Sequence, residues 1–371
     1  MSYQAVLENR TPFRVLNIVL PDEEGQEVIL IVVSASFVAG PDGMLLVAQE
    51  HTPVRTGDQY LQAATPARSS ILREADLALS KAKVDVVLNG HAWAPEGRPT
   101  PRVPVLLSVG SIRKVLTVTG DRHRASALRG HALSMPVPFR SMPIVYERAR
   151  GGSVFDDAGK LVGIDRRNPA GIGLELSGHA AARSSDPSVD SDAPNVEYAD
   201  ASLAGSVAGF GFVSRGWSPR LEQAGTFDGQ WLDERWPFMP ANFDKAHYQG
   251  SPPDQQCDSI AGETVTLRNL TPDGLWQFRL PKLDIPVLLT FTDRLKWTRP
   301  RMDTIVIDTD ARRVDISLRL ALRTLRDRGR LVEIFVGMPS RALLLARKSG
   351  KAYLDHRPVS MPPHAEPYVT L

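Results

Sequence analysis

Four residues with catalytic or metal-binding chemistry fall within fourteen positions: Asp244, His247, Asp254 and Cys257. A histidine beside carboxylates suits a general base or a metal ligand, and a cysteine suits a nucleophile. Together they would make a hydrolase or a metal-dependent enzyme. The same residues also have a plainer use, because aspartates in loops cap their own backbone amides. Cys257 stands between Gln256 and Asp258, with no neighbouring cation in sequence to lower its pKa. The local pattern therefore favours capping, and no catalytic residue, metal ligand or cofactor site is assigned.

Other signatures of site chemistry are missing. Gly350-Lys351 is followed by Ala352, so no phosphate loop is formed. Gly171-Ile172-Gly173 and Gly209-Phe210-Gly211 lack the third glycine of a dinucleotide fingerprint. Gly205-Ser206-Val207-Ala208-Gly209 is not a nucleophile elbow, and one cysteine cannot build a thiolate zinc site. His91 alternates with apolar residues in NGHAWAP and reads as a strand residue. His123 and His131 flank Arg122, Arg124 and Arg129, which read as a solvated basic face with anion binding as the alternative.

The quartet lies at the end of a longer unusual stretch, Val213 to Asp258, which holds three of the six tryptophans and five prolines. It has neither a helical nor a strand period, so its rings must be buried irregularly, as a long ordered loop on a scaffold. Within it Arg215, Arg220 and Arg235 stand near Trp217, Trp231 and Trp236, with Asp228 among the flanking acids. Guanidinium groups stack on indoles, and Trp and Arg dominate protein-protein hot spots. Trp217 and Trp231 also suit inward packing that locks the loop.

The scaffold reads as mainly β. Val314, Ile316, Leu318, Leu320 and Leu322 alternate with Asp315, Ser317, Arg319, Ala321 and Arg323, a strand with one polar face. Gly40-Pro41-Asp42-Gly43, Asp156-Asp157-Ala158-Gly159, Thr271-Pro272-Asp273-Gly274 and Thr309-Asp310-Ala311-Arg312 read as hairpin turns. Further strands are expected from Val84, Val103, Lys114, Ile285 and Leu331. Short helices are expected only over Ala75 to Lys83 and Ser340 to Arg347, neither strongly capped. Antiparallel sandwich or barrel-like sheets with long ordered loops follow. An N-terminal β region over 1–178, a polar linker over 179–200 and a C-terminal β region over 201–371 are expected, as separate parts or as one intertwined domain.

Composition narrows the partners. Forty-four basic and 42 acidic residues nearly cancel, which gives no polyanion-binding signal. Arginine outnumbers lysine 35 to 9, from codon bias or from interface use. A lone cysteine suits a reducing cytoplasm. The opening MSYQAVLENRTPF shows no secretory pattern, and the apolar run Ile29 to Val38 is too short to span a membrane.

RGWSPRLEQAGTFDGQW, then RWPFMPANFD and SPPDQQ, resemble the signature of a bacterial family found with type VI secretion systems and long labelled a domain of unknown function. DVVLNGHAWAP, TVTGDRH, PIVYERARGG, RNPAGIGL, AGETVTLRNLTPDG and DTIVIDTDARRVDISLR look like further blocks of it, with departures at Arg124 and Leu318. The resemblance implies a cytoplasmic adaptor or chaperone without enzymatic activity. Such a protein loads a toxic effector onto the spike protein and its PAAR-type tip, with no nucleic acid or membrane partner. The signature residues to watch are Arg215, Trp217, Arg220, Asp228, Trp231, Arg235, Asp244, Asp254, Gln255 and Gln256.

Overall fold

The computed structural model describes residues 5–127, 130–174, 192–323, 329–351, 353 and 368–370. Three sheets dominate it. The largest has the order Gln256–Cys257, Val84–Asn89, Arg301–Asp308, Arg313–Arg323, Glu27–Ala39 and Arg14–Pro21, with Leu45–Val47 also on Glu27–Ala39. A five-stranded antiparallel sheet runs Val196–Tyr198, Ile112–Thr119, Arg102–Val109, Thr264–Arg268, Leu275–Arg279. A four-stranded sheet runs Val6–Asn9, Leu331–Val336, Val287–Phe291, Leu295–Thr298.

The chain is mainly β, in stacked sheets and small ribbons rather than a closed barrel. Parallel pairing enters where Val84–Asn89 joins Arg301–Asp308 and where Val6–Asn9 joins Leu331–Val336. All three large sheets combine strands from before and after residues 179–200. Residues 179–191 of that expected linker lie outside the described residues.

Strand Glu27–Ala39 carries the run ILIVVSASFV, buried from Val28 to Phe37, as befits a central strand covered on both faces. Its β-branched residues fit the pleat between two long neighbours. One face of the large sheet sends Ile31, Val33, Val86, Ile305 and Ile316 into a single apolar core. Val105, Leu107, Val265 and Leu267 of the five-stranded sheet and Val287 and Ile334 of the four-stranded sheet join it.

The opposite face is buried as well, and beside apolar patches around Leu30 and Val87 it carries a polar layer. Ser34, Ser36, Asp85, Thr304, Asp315 and Arg319 lie under the irregular segment 50–83. The alternation of Arg313–Arg323 therefore separates an apolar core from a polar one, not core from solvent. All four expected hairpin turns join paired strands.

Two expectations about helices are corrected. Ala75 to Lys83 is irregular, because Asp76 and Lys81 are drawn to the sheet: Asp76 accepts from Arg55 N, Ser317 and Arg319, and Lys81 donates to Asp85 and Thr304. Helix Arg341–Lys348 does form, and it is capped, with the Ser340 hydroxyl accepting from Leu343 N at 3.1 Å.

Gly90 breaks the strand between Asn89 and His91 with φ +150°, and a Cβ there would overlap Thr309 Oγ1 in the turn beside it. Gly90→Ala is expected to destabilise the protein by about 2 kcal/mol, read as a lower urea midpoint at unchanged m-value.

Candidate functional site

The stretch Val213 to Asp258 has two parts with opposite character, a base sunk into the protein and a tip standing out from it. It contains short helices that the sequence reading did not expect, Arg220–Gln223 and Gly229–Glu234, and turns of 3-10 helix at Lys245–Tyr248 and Pro253–Gln255. Local capping explains two of these. Asp228 accepts from Trp231 N and Asp244 accepts from Ala246 N.

The base is organised by charges in the polar layer. Asp85, fully buried, accepts from Lys81 Nζ at 2.6 Å, Gln249 Nε2 at 2.9 Å, Gly250 N at 2.8 Å and Ser251 Oγ at 2.8 Å. Burial alone would raise its pKa, but the Lys81 ammonium and these donors hold the carboxyl below its usual range. Glu74 pairs with Arg220 at 2.7 Å and Arg215 at 3.2 Å, and Arg215 also approaches Asp58. Arg220 further donates to the carbonyls of Val213 and His247, which closes the loop on itself.

Trp217 is 1% exposed, donates its indole N–H to Ala67 O at 3.1 Å, and meets the Tyr146 ring edge-on at 5.4 Å. Gln255, also buried, donates to Val86 O and Phe210 O and accepts from Lys114 Nζ. Lys114 comes from the five-stranded sheet and also donates to Asp254 at 2.9 Å, whose other oxygen accepts from Tyr198. Gln256 donates to Ser251 O and pairs with Asp85 across the edge of the large sheet. Arg215, Trp217, Arg220, Asp254, Gln255 and Gln256 thus fasten the loop between two sheets.

The tip runs from Leu221 to Asn242. Trp231 is half-buried there, with Phe227 against its edge at 4.9 Å and its N–H donated to Phe238 O at 2.9 Å. Arg235 donates to Met239 O and to Glu23 O, and the Phe238 ring lies over Gly25, where a side chain would overlap it. Phe227 (56% exposed), Leu232 (58%) and Trp236 (64%) face outward, flanked by Leu221, Phe238 and Met239. Large apolar side chains exposed on one loop that main-chain hydrogen bonds hold in place are of the kind that marks interaction sites.

The catalytic quartet considered from sequence is not assembled. His247 Nδ1 faces Arg220 O at 2.8 Å, and burial lowers its pKa against that hydrogen bond. Asp244 caps a turn, Asp254 is taken by Lys114, and Cys257 is buried in the strand opposite Val84, its thiol pushed up to about 11 by burial and Asp258. Among the described residues no three His, Cys, Asp or Glu side chains converge as a metal site, and no helix is long and apolar enough to cross a membrane. Arg122 is also corrected: it is buried, donating to Pro194 O and Glu197, not part of a solvated face. His123 pairs with Asp192, and the side chain of His131 lies outside the described residues.

Two hollows adjoin these elements. A cavity of about 30 Å³ inside the polar layer is lined by Arg55, Arg73, Glu74, Asp76, Lys81 and Arg319. It is too small for any organic cofactor. A shallower depression of about 310 Å³ is lined by His91, Trp93, Ser141, Thr309, Asp310 and Arg312, and His91 Nδ1 lies 2.7 Å from Asp310.

Residues 24–319 match the model of a family described as "Uncharacterized protein conserved in bacteria (DUF2169)". The chain belongs to that family. The matched span contains the whole loop and the strands that seat it. Neither the curated proteins nor the solved structures hold a match.

Sequence reasoning missed the residues that seat the family's loop, Glu74, Lys81, Asp85 and Lys114, and the exposed apolar tip. A lone aspartate in the apolar run VDVVLN was the available signal, since a buried carboxylate demands partners. Asp85→Ala leaves Lys81 and four polar groups of Gln249–Ser251 without their acceptor. It is expected to cost roughly 3–5 kcal/mol in urea unfolding.

Burial pushes the Lys114 ammonium down from 10.5 to about 8, against the pull of Asp254. Because the folded chain sheds this proton before the unfolded chain does, stability should rise with pH above 8. Cys257, raised from 9.0, acts in the opposite sense above pH 9. Between pH 8 and 9 a gain of about 1 kcal/mol is expected by chemical denaturation, absent in Lys114→Met.

Proposed function

We propose that this protein is an effector-loading adaptor of a type VI secretion system. It works in the cytoplasm and holds a toxic effector through the tip of the Val213–Asp258 loop until the effector joins the spike and its PAAR-type tip. The reading draws on the resemblance of the ordered sequence blocks, and one observation of the molecule carries it. Phe227, Leu232 and Trp236 stand exposed on a loop whose base is fixed by buried ion pairs. A rigid loop presenting aromatic anchors loses little conformational entropy on binding, which is what a protein-recognition surface requires.

Division of labour within the loop gives the signature residues their roles. Arg215, Trp217, Arg220, Asp254, Gln255 and Gln256 set the base, while Asp228, Trp231 and Arg235 shape the tip through the cap, the indole bond and the carbonyl clamp. Asp244 closes the return from the tip, its N–H donating to Gln223 O at 2.9 Å.

Co-expression with candidate effector and spike genes from the same genome is expected to recover a complex on affinity purification. Phe227→Ala combined with Trp236→Ala should lower effector recovery about tenfold while leaving the thermal midpoint unchanged. In the bacterium, deletion of the gene should abolish secretion of the cognate effector with sheath assembly intact. Undiminished secretion from the deletion strain would overturn the reading.

A further inference from the structure

The chemistry of the partner can be read from the charges around the tip. Glu222, Asp228, Asp233 and Glu234 are exposed beside Phe227, Leu232 and Trp236. The turn Asp22–Gln26, tied to the tip by Arg235 donating to Glu23 O at 3.1 Å, adds Glu23 and Glu24. Among the described residues these six carboxylates and Asp22 stand against three cations, Arg235, Lys245 and Arg323. All three are engaged: Arg235 donates to the carbonyls of Met239 and Glu23, Lys245 pairs with Glu23 at 3.3 Å and Arg323 with Asp22 at 2.9 Å, which leaves Glu24, Glu222, Asp228, Asp233 and Glu234 to form the acidic rim. The whole chain is close to neutral, so this negative rim is a local property of the surface.

From this we infer that the tip receives a cationic polypeptide segment with one apolar face, its large side chains meeting Phe227, Leu232 and Trp236 and its lysines or arginines meeting the acidic rim. This inference rests on the adaptor reading for its setting and specifies what the effector or spike component presents. The same charges act against the other occupants of an apolar face. A second copy of this chain would bring an equal set of carboxylates onto the rim, and an anionic bilayer would be repelled by it. Electrostatic complementarity of this kind sets the association rate and makes binding depend on salt.

The test uses the full chain and two synthetic amphipathic helical peptides of about 18 residues. They share a leucine and phenylalanine face, and carry either lysine or glutamate on the other. Fluorescence anisotropy should show the lysine peptide binding at least about tenfold more tightly than its glutamate twin, with affinity falling as salt rises. Trp236→Ala and Phe227→Ala should each weaken it about tenfold. Asp233→Asn with Glu234→Gln should weaken it and flatten its salt dependence, while thermal unfolding of every variant stays at the wild-type midpoint.

Equal binding of the two peptides, no binding of the lysine peptide, or wild-type affinity in Trp236→Ala would each overturn the inference. So would a concentration-dependent dimer of the chain that Trp236→Ala abolishes, which would assign the face to self-association. Failure here is separable from failure of the adaptor reading. A chain that recovers effector and spike products but ignores the lysine peptide loses only this inference, and one that binds the peptide but recovers neither loses only the adaptor reading.

Discussion

The carboxylate of Asp85 is the point on which the loop and the sheet depend together. It sits on an interior strand, in a run otherwise made of valine and leucine, and accepts from a lysine, an amide side chain, two backbone N–H groups and a hydroxyl. Three of those partners, Gln249, Gly250 and Ser251, belong to the returning arm of the signature loop. A carboxylate buried without water is tolerable only when its lone pairs are all met. The arm is therefore held where the sheet needs donors, and the sheet keeps its charge where the arm supplies them.

Around that point the molecule has two interiors of different kinds. The apolar one, between the large, five-stranded and four-stranded sheets, is non-directional and tolerates changes of detail. The polar one, under segment 50–83, is directional. Arg319 reaches Asp303 and Asp76, Asp315 reaches Ser36, Thr52, Arg73 and Arg313, and Glu74 reaches the two loop arginines. Burial pushes the Asp303 carboxyl upward against the pull of Arg319 and Lys81. Such a layer contributes to uniqueness more than to stability, because each partner has one acceptable position. That property suits the seat of a loop that must present a fixed surface.

Turns and strands were legible because their chemistry is local. Gly43, Gly159 and Gly274 take positive φ at the hairpins that their Pro-Asp and Asp-Asp neighbours announce. The alternation over Val314 to Leu322 was also legible, but not that its polar residues would lie under another layer in the fold. Nothing local announces that layer, since burial of Asp315 and Arg319 depends on Thr52 and Asp76 far away in the chain. The helix expected over Ala75 to Lys83 failed for the same reason: its polar residues are claimed by distant strands. In the loop, the mixture of Trp, Arg and Asp announced an ordered stretch, and the inward packing of Trp217 was foreseen. Which rings turn outward was not, because Phe227 and Trp236 differ from Trp217 only in what lies beneath them.

The seating of the loop ties the shape of its tip to strands that come late in the chain. Val84–Asn89 takes its neighbours from Gln256–Cys257 on one side and Arg301–Asp308 on the other, both from the distal half. The strand therefore gains one neighbour from the end of the loop itself, at Gln256–Cys257, and the other only when Arg301–Asp308 has been made. A chain cut short before Arg301 would leave that edge of the strand open and Lys81 without its bond to Thr304.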